Sequence, residues 1–171
     1  MFTNNQIDIN SIPKLEDISL NPISKKYLNI LYLNILLLYS SFIGIIVIIN
    51  VLVKKDWAKD YFWHALFFLL ISFLFQCVIT YLGFNKRAYA LRTQDVIHTK
   101  GLLVHQRTTV PFIRIQHLET KQSFVAKKLK LASLYVYTAG EAGGDLSIKG
   151  LPIDEANRIN EFLNNKINER L

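Results

Sequence analysis

The 171-residue chain is 51% hydrophobic and has a mean hydropathy of +0.22, which is high for a soluble domain of ordinary composition. Its net charge is +7, from 20 Lys and Arg against 13 Asp and Glu. The single cysteine, Cys77, excludes an intramolecular disulfide and a metal centre built from several cysteines.

Residues 1–26 form a polar arm that is rich in Asn and Ile and contains the amphipathic stretch IPKLEDISL. Such a stretch suits the surface of a membrane, and it suits packing on a later domain equally well. The sequence leaves both placements open.

Two long apolar segments follow, at residues 27–53 and 61–84, and neither contains Asp, Glu, Lys or Arg. Each exceeds the roughly 20 residues that cross about 30 Å of hydrocarbon as a helix. A pair of buried core helices is disfavoured, because both segments are apolar around the whole helix and the rest of the chain is small. A cleavable signal peptide is not expected, because the first segment is too long and has no small-residue cleavage pattern. The sequence therefore predicts a transmembrane hairpin over residues 27–84.

Basic residues predict the orientation of this hairpin. Five Lys and Arg lie near its two ends, at positions 25, 26, 86, 87 and 92, and three lie in the connecting loop, at positions 54, 55 and 59. The positive-inside rule then favours cytoplasmic termini by a modest margin. We expect a multi-pass protein of the inner membrane.

From residue 85 onward the hydrophobic pattern alternates. Period-two segments, separated by the turn TQD and by Gly101, predict short antiparallel strands. In IRIQHLETKQS the alternation places Ile113, Ile115 and His117 on one face. The segments SLYVYTAG and DLSIKG are further strands on either side of the loop GEAGG, so six or seven strands are expected.

The segment 152–168 is predicted to be an amphipathic helix. Pro152 suits its first turn, and Asp154 and Glu155 suit the positive end of the helix dipole. Its apolar residues recur at helical spacing, which suits a helix that covers one side of a small sheet. Two membrane helices, a run of strands and a terminal helix make an α+β or capped-barrel plan.

The motifs of the strand region, taken in order, resemble the bacterial pleckstrin-homology-like (PH-like) domain of small membrane proteins with two helices ahead of the domain. The shared features are a Tyr-x-Leu strand, a glycine after the first hairpin, a Pro-x-x-Arg-Ile-Gln turn, a tripeptide before the next strand, and a Thr-Ala-Gly strand end. These are Tyr89 and Leu91, Gly101, Pro111 with Arg114, Ile115 and Gln116, Lys130 to Ala132, and Thr138 to Gly140. Lys130 departs from the pattern, since the family often has glycine there.

This resemblance implies that residues 85–171 fold as two roughly orthogonal antiparallel sheets capped by the C-terminal helix. It implies a protein of the bacterial inner membrane that has no enzymatic activity and tends to oligomerise. The residues themselves point the same way. His98 and His105 lie on either side of the turn at Gly101, but no Asp, Glu or Cys joins them at ligand-like spacing, and GEAGG lacks the Lys and Ser or Thr of a P-loop. We expect no enzyme, no cofactor and no metal.

Basic residues are the candidate contact residues of the domain. Residues 85–171 carry 14 Lys and Arg against eight Asp and Glu, and the densest run is AKKLK, with Lys127, Lys128 and Lys130. A positive domain held at the inner leaflet attracts anionic lipid, although a solvated surface loop explains the run as well.

Arg114 has two interpretations. It either braces the turn after Pro111, by bonding turn carbonyls or pairing with Glu119, or it contacts a partner chain or a lipid headgroup. The predicted structural turn residues are Pro111, Arg114, Gln116, Gly101 and Gly140.

Two functions follow from these features. One is an assembly or protein-interaction module that binds itself or another membrane protein. The other is a module that senses anionic lipid or a small ligand at the inner leaflet. Membrane lipids and a second protein chain are the expected partners, and nucleic acid is not, because no nucleic-acid-binding motif is recognisable.

Overall fold

The computed structural model describes residues 18–53, 56–138 and 146–169, with the backbone alone for residues 56–60. The membrane helices are α1 (Tyr27–Leu52) and α2 (Asp56–Phe84). The domain helices are α3 (Phe124–Lys128) and α4 (Ile153–Asn168), and a 3-10 turn spans Phe112–Arg114. The strands are β1 (Asn21–Pro22), β2 (Ala88–Leu91), β3 (Asp95–Lys100), β4 (Gln106–Pro111), β5 (Ile115–Lys121), β6 (Leu131–Thr138) and β7 (Leu146–Pro152).

Helices α1 and α2 pack along each other as a hairpin. Their 26 and 29 residues correspond to roughly 39 and 43 Å at a rise of about 1.5 Å per residue, enough to cross a bilayer. Only 6% and 0% of their most apolar windows are buried, so they are not the core helices of a soluble domain. The Tyr39 hydroxyl is 2.8 Å from Ser72 Oγ, and the Tyr39 ring packs edge-on against Phe73. Helix α2 begins at Asp56, five residues earlier than the predicted segment.

The strands form two antiparallel sheets. Sheet A has the order β1-β2-β3-β4, and sheet B has the order β5-β6-β7. Strand β1 lies in the predicted polar arm, where Asn21 pairs with Tyr89 and Pro22 with Ala88. Ile23, the next residue, is buried in the core. The end of the arm therefore packs on the domain, whereas most of IPKLEDISL lies outside the described residues.

One detail of the predicted alternation is wrong. Ile115 pairs with Thr138 while His117 pairs with Tyr137, so a β-bulge separates them. Because a bulge adds one residue to one strand, it reverses the alternation, and Ile115 is buried while His117 is exposed. Ile113 precedes the strand in the 3-10 turn and is exposed. The three residues do not share a face.

Helix α4 caps the core between the sheets. Ala156, Ile159 and Leu163 are its buried residues, and Phe162 packs edge-on against Phe112 at 6.0 Å between ring centroids. The Tyr89 hydroxyl donates a hydrogen bond to Glu155, which ties sheet A to the first turn of α4. Two antiparallel sheets and a capping C-terminal helix after a membrane hairpin confirm the predicted PH-like fold class.

Candidate functional site

The membrane hairpin joins the domain through a close contact between Tyr27, the first residue of α1, and Gly150 of β7. Gly150 has a φ of +85°, and a Cβ at this position would lie 2.5 Å from Tyr27 Cγ. The Ser24 backbone N–H donates to the Gly150 carbonyl at 3.0 Å. The Arg87 guanidinium lies over the Tyr27 ring, 5.8 Å from its centroid. The hairpin is thus held to the domain by packing as well as by the chain.

Two neighbouring cavities open at this joint, and together we call them the junction cleft. The first has a volume of about 520 Å³ and lies between α1, α2 and the loop of residues 101–105. The second has a volume of about 330 Å³ and shares Leu31, Arg87 and Lys100 with the first. The polar side chains of the cleft come from both parts of the protein: Asn34, Gln76 and Thr80 from the helices, and Arg87, His98, Lys100, Gln106, Ser147 and Lys149 from the domain.

The junction cleft is positively charged. Arg87, Lys100 and Lys149 line it, and its lining residues include no Asp or Glu. Within the part of the chain that the structure describes, none of these three cations forms an ion pair. His98 is only 7% exposed, and its burial, aided by the charges of Lys100 and Arg87, lowers its pKa from 6.5 to about 4. His98 is therefore neutral at pH 7.

Exposed apolar side chains lie on two sides of the helices near this joint. The loop of residues 101–105 presents Leu103 and Val104, which are 89% and 79% exposed. Its bend requires glycine, because Gly101 has a φ of +103° and a Cβ there would lie 2.0 Å from the Val104 carbonyl oxygen. On another side, Phe124 of α3 is 74% exposed.

The predicted basic run forms α3 and the turn after it. Ser123 caps the helix by accepting a hydrogen bond from the Ala126 N–H at 3.3 Å. Lys127, Lys128 and Lys130 are all exposed, and Lys128 Nζ lies 4.7 Å from the centre of the Phe124 ring. Helix α3 lies beside the start of α1, since Ser123 and Ala126 share a cavity of about 400 Å³ with Tyr27 and Ile30.

Lys130 makes the sharp turn without the glycine that is frequent at this position in the family. It adopts a φ of +56°, and its carbonyl accepts a hydrogen bond from the Ile153 N–H at 3.0 Å. The conformation is strained for a residue with a Cβ. The residues around Lys130, and not its own side chain, therefore determine the left-handed backbone at this turn.

Arg114 lies at the end of the domain away from the hairpin. Strand β5 separates it from α3, and its seven residues span roughly 20 Å. The structure therefore does not bring Arg114 and the exposed Gln116 together with the α3 lysines. Pro111 is followed by a turn in which the Phe112 N–H donates to the Gln94 carbonyl at 2.8 Å.

The Arg114 side chain is exposed and, in the described ranges, makes no hydrogen bond or ion pair. Its bracing role stays a prediction, as does its role as a contact residue. The remaining predicted turn residue, Gly140, lies outside the described residues.

Glu119, the predicted partner of Arg114, belongs to a different cluster on the outer side of sheet B. Its carboxylate lies 2.6 Å from Lys121 Nζ and accepts a hydrogen bond from the Tyr137 hydroxyl at 2.7 Å. These two hydrogen bonds lower the pKa of Glu119. The His117 ring stacks on Tyr137 at 4.1 Å, and Lys121 Nζ lies 5.0 Å from the Tyr135 ring centre. We call these five residues the aromatic face.

Sequence reasoning missed the basic residues of the junction cleft. The sequence gives Arg87 a role only in membrane orientation, and Lys100 and Lys149 stand alone in it. Their positions next to a helix end and in strands are visible in the sequence, but their convergence depends on how β3 and β7 approach α1. Among the described residues, no group of three or more His, Cys, Asp or Glu is placed to hold a metal ion.

A two-sheet domain capped by a helix and joined to a transmembrane hairpin defines a membrane-anchored PH-like domain protein. The family model described as "Bacterial PH domain" matches residues 29–167, and the chain belongs to this family, as its motifs predicted. Over 75 residues the chain is 31% identical to the UPF0699 transmembrane protein YdbS of Bacillus subtilis (strain 168). That match covers 44% of this chain and 45% of the relative, so it spans just under half the length of either protein. No solved structure matches the chain.

Proposed function

We propose that this protein is a non-enzymatic assembly module, in which a membrane-anchored PH-like domain binds a protein partner on the cytoplasmic side of the inner membrane. The partner is a second copy of the chain or another membrane protein. The observation that carries this proposal is the aromatic face on the outer side of sheet B.

The aromatic face has the composition of a protein-binding surface. Tyrosine is enriched in protein interfaces and at their energetic hot spots, and Tyr135 and Tyr137 are half-buried on this face. The stacking of His117 and the hydrogen bond to Glu119 hold the Tyr137 ring in place, and Lys121 Nζ lies over the Tyr135 ring. Side chains that are already ordered lose little conformational entropy on binding, which favours association.

Site-specific photo-crosslinking in native membranes tests this function. A photoreactive phenylalanine analogue at Tyr135 should give a covalent adduct, whereas the same analogue at Asn164, an exposed position on α4, should not. Mass spectrometry of the adduct distinguishes a second copy from another protein. Equal adduct yields at the two positions, or none at Tyr135, would contradict the proposal.

The cytoplasmic side is supported by the excess of basic residues near the hairpin ends and by the β1–β2 pairing, which holds both ends on one side. Cysteine labelling tests it. With Cys77 replaced by Ser, a cysteine at position 164 should react with a membrane-impermeant maleimide only after the cells are opened. Labelling of intact cells would place the domain on the outer side.

A second candidate function is binding of anionic lipid at the inner leaflet. The basic lining of the junction cleft and the exposure of Lys127 and Lys128 beside α1 favour it.

A further inference from the structure

The junction cleft lies at the level where the hairpin leaves the membrane. The apolar span of α1 starts at Tyr27, and that of α2 ends at Phe84. Ile35, Ile79 and Gly83 line the cleft from within these spans, and Arg87 lines it from beyond them. The cleft thus extends from the hydrocarbon edge into the headgroup layer.

Polar side chains of the helices face this cleft. Asn34, Gln76 and Thr80 all lie within the apolar spans, where polar groups are rare and usually face a partner or a polar cavity. In the described part of the protein, their side chains have no hydrogen-bond partner. They are available to the hydroxyl and ester oxygens of a molecule in the cleft.

The cationic side chains of the cleft suit a phosphodiester. A guanidinium such as that of Arg87 binds two phosphate oxygens at once, and an ammonium such as that of Lys100 acts as a compact point charge. Because no carboxylate lines the cleft, an anion would enter it without displacing an internal ion pair. A volume of about 520 Å³ lies within the range of about 300–1,000 Å³ that is usual for ligand pockets.

The walls of the cleft also favour an acyl chain over a free anion. Leu31, Ile79, Leu102 and Val104 give it an apolar side next to the hydrocarbon. A free phosphate would gain nothing from that side. A molecule with a charged head and an apolar tail would use both sides.

We propose that the junction cleft is a binding site for the headgroup of an anionic glycerophospholipid from the adjoining leaflet. The phosphate lies between Arg87 and Lys100, with Lys149 adding charge, and the acyl chains leave past Ile79 and Val104. This inference rests on the second candidate function, lipid binding at the inner leaflet, and names the site and the headgroup. It places recognition in the cleft rather than on the exposed lysines of α3.

Titration of the full-length chain in detergent with short-chain lipids tests the site. Native mass spectrometry would measure apparent affinities for dioctanoyl phosphatidylglycerol, for dioctanoyl phosphatidylcholine and for glycerol phosphate, which has no acyl chains. We expect phosphatidylglycerol to bind most tightly. The pair Arg87→Gln and Lys100→Gln should weaken its binding by about twenty-fivefold, since each basic contact with anionic lipid contributes a factor of about five.

The matched control is the pair Lys127→Gln and Lys128→Gln, which removes the same charge from α3. It should change the affinity by less than about threefold, because α3 lies outside the cleft. Arg87→Lys should retain more binding than Arg87→Gln. If the loss of the contact with Tyr27 unfolds the Arg87 variants, Lys100→Gln with Lys149→Gln removes the same charge without touching that contact.

Each result has a distinct meaning. Equal losses in the two pairs would overturn the cleft as the site and leave general lipid binding standing. Equal affinities for phosphatidylglycerol and phosphatidylcholine would overturn both the site and the lipid-binding function. Glycerol phosphate bound as tightly as phosphatidylglycerol would show a site for a free phosphate ester and overturn the phospholipid.

Discussion

Replacing Gly150 by alanine should loosen the joint between α1 and β7. Gly150 has a φ of +85°, and a Cβ there would lie 2.5 Å from Tyr27 Cγ and 2.7 Å from Tyr27 Cβ. The left-handed backbone costs a residue with a Cβ about 1 kcal/mol, and overpacking adds about 1–3 kcal/mol. We therefore expect Gly150→Ala to lower the free energy of unfolding of the domain by about 2–4 kcal/mol.

Hydrogen exchange as a function of urea, measured on the full-length chain in detergent, checks this value. Peptides from β6 and β7 report on the domain itself. Tryptophan fluorescence would not, because both tryptophans, Trp57 and Trp63, lie near the loop of the membrane hairpin, at the far ends of the helices from the domain.

A variant that lacks the Tyr27 side chain separates the backbone strain at Gly150 from the overpacking against Tyr27. Tyr27→Gly removes all three of the Tyr27 atoms that the new Cβ would meet, so Gly150→Ala in this background should cost only the backbone term of about 1 kcal/mol. If Gly150→Ala costs the same with and without the Tyr27 side chain, the contact with the ring does not hold the joint, and the reasoning is refuted.

Three further predictions concern the domain. The pKa of His98 falls from 6.5 to about 4 on folding, so the unfolded state takes up the proton first and stability is lost as the pH falls through this range. The loss between about pH 7 and pH 5 should be about 2 kcal/mol in urea titrations, and a His98→Gln variant that keeps this pH dependence would argue against it. At Lys130, whose φ is +56°, glycine should give a domain more stable than alanine by about 1 kcal/mol, the reverse of the order in a helix, and a higher melting temperature for alanine would contradict the assigned strain. Ser123→Ala removes the cap of α3 and should cost about 1 kcal/mol in the same urea titration, while no change would mean that the cap is not formed.

The membrane helices and α4 were predictable because their signals are long and local. Two charge-free segments and one stripe at helical spacing repeat over many residues, and the structure places helices over nearly the same ranges. The order of short motifs identified the family for the same reason, since several weak matches at fixed spacing reinforce each other.

Features set by a single residue were not predictable. The bulge between Ile115 and His117 leaves the alternation of the sequence intact, because one extra residue changes the face and not the residue types. Strand β1 has only two residues, one of them a proline, and no pattern can show so short a pairing. The positive φ of Lys130 is determined by the residues that pack around it, and the identity of residue 130 does not indicate it.

One of the candidate sites was also predictable from the sequence, and the other was not. The run AKKLK is dense in charge and therefore easy to find, whereas Arg87, Lys100 and Lys149 converge only after β3 and β7 meet α1. Tyr135 and Tyr137 could be assigned to a strand, but the bulge determines which β5 side chains join them. A run of adjacent charged residues is visible in a sequence. The approach of charged residues that are far apart in the sequence is visible only in the folded structure.

The pairing of β1 with β2 makes the whole membrane hairpin an insertion between two neighbouring strands of one sheet. Sheet A can therefore be completed only after both helices have crossed the bilayer and returned the chain to the side on which it started. A chain with only one helix inserted would leave β1 and β2 on opposite sides of the membrane. Sheet A is therefore complete only in a chain whose two helices are both inserted. The folded domain in turn prevents the two helices from separating at this end.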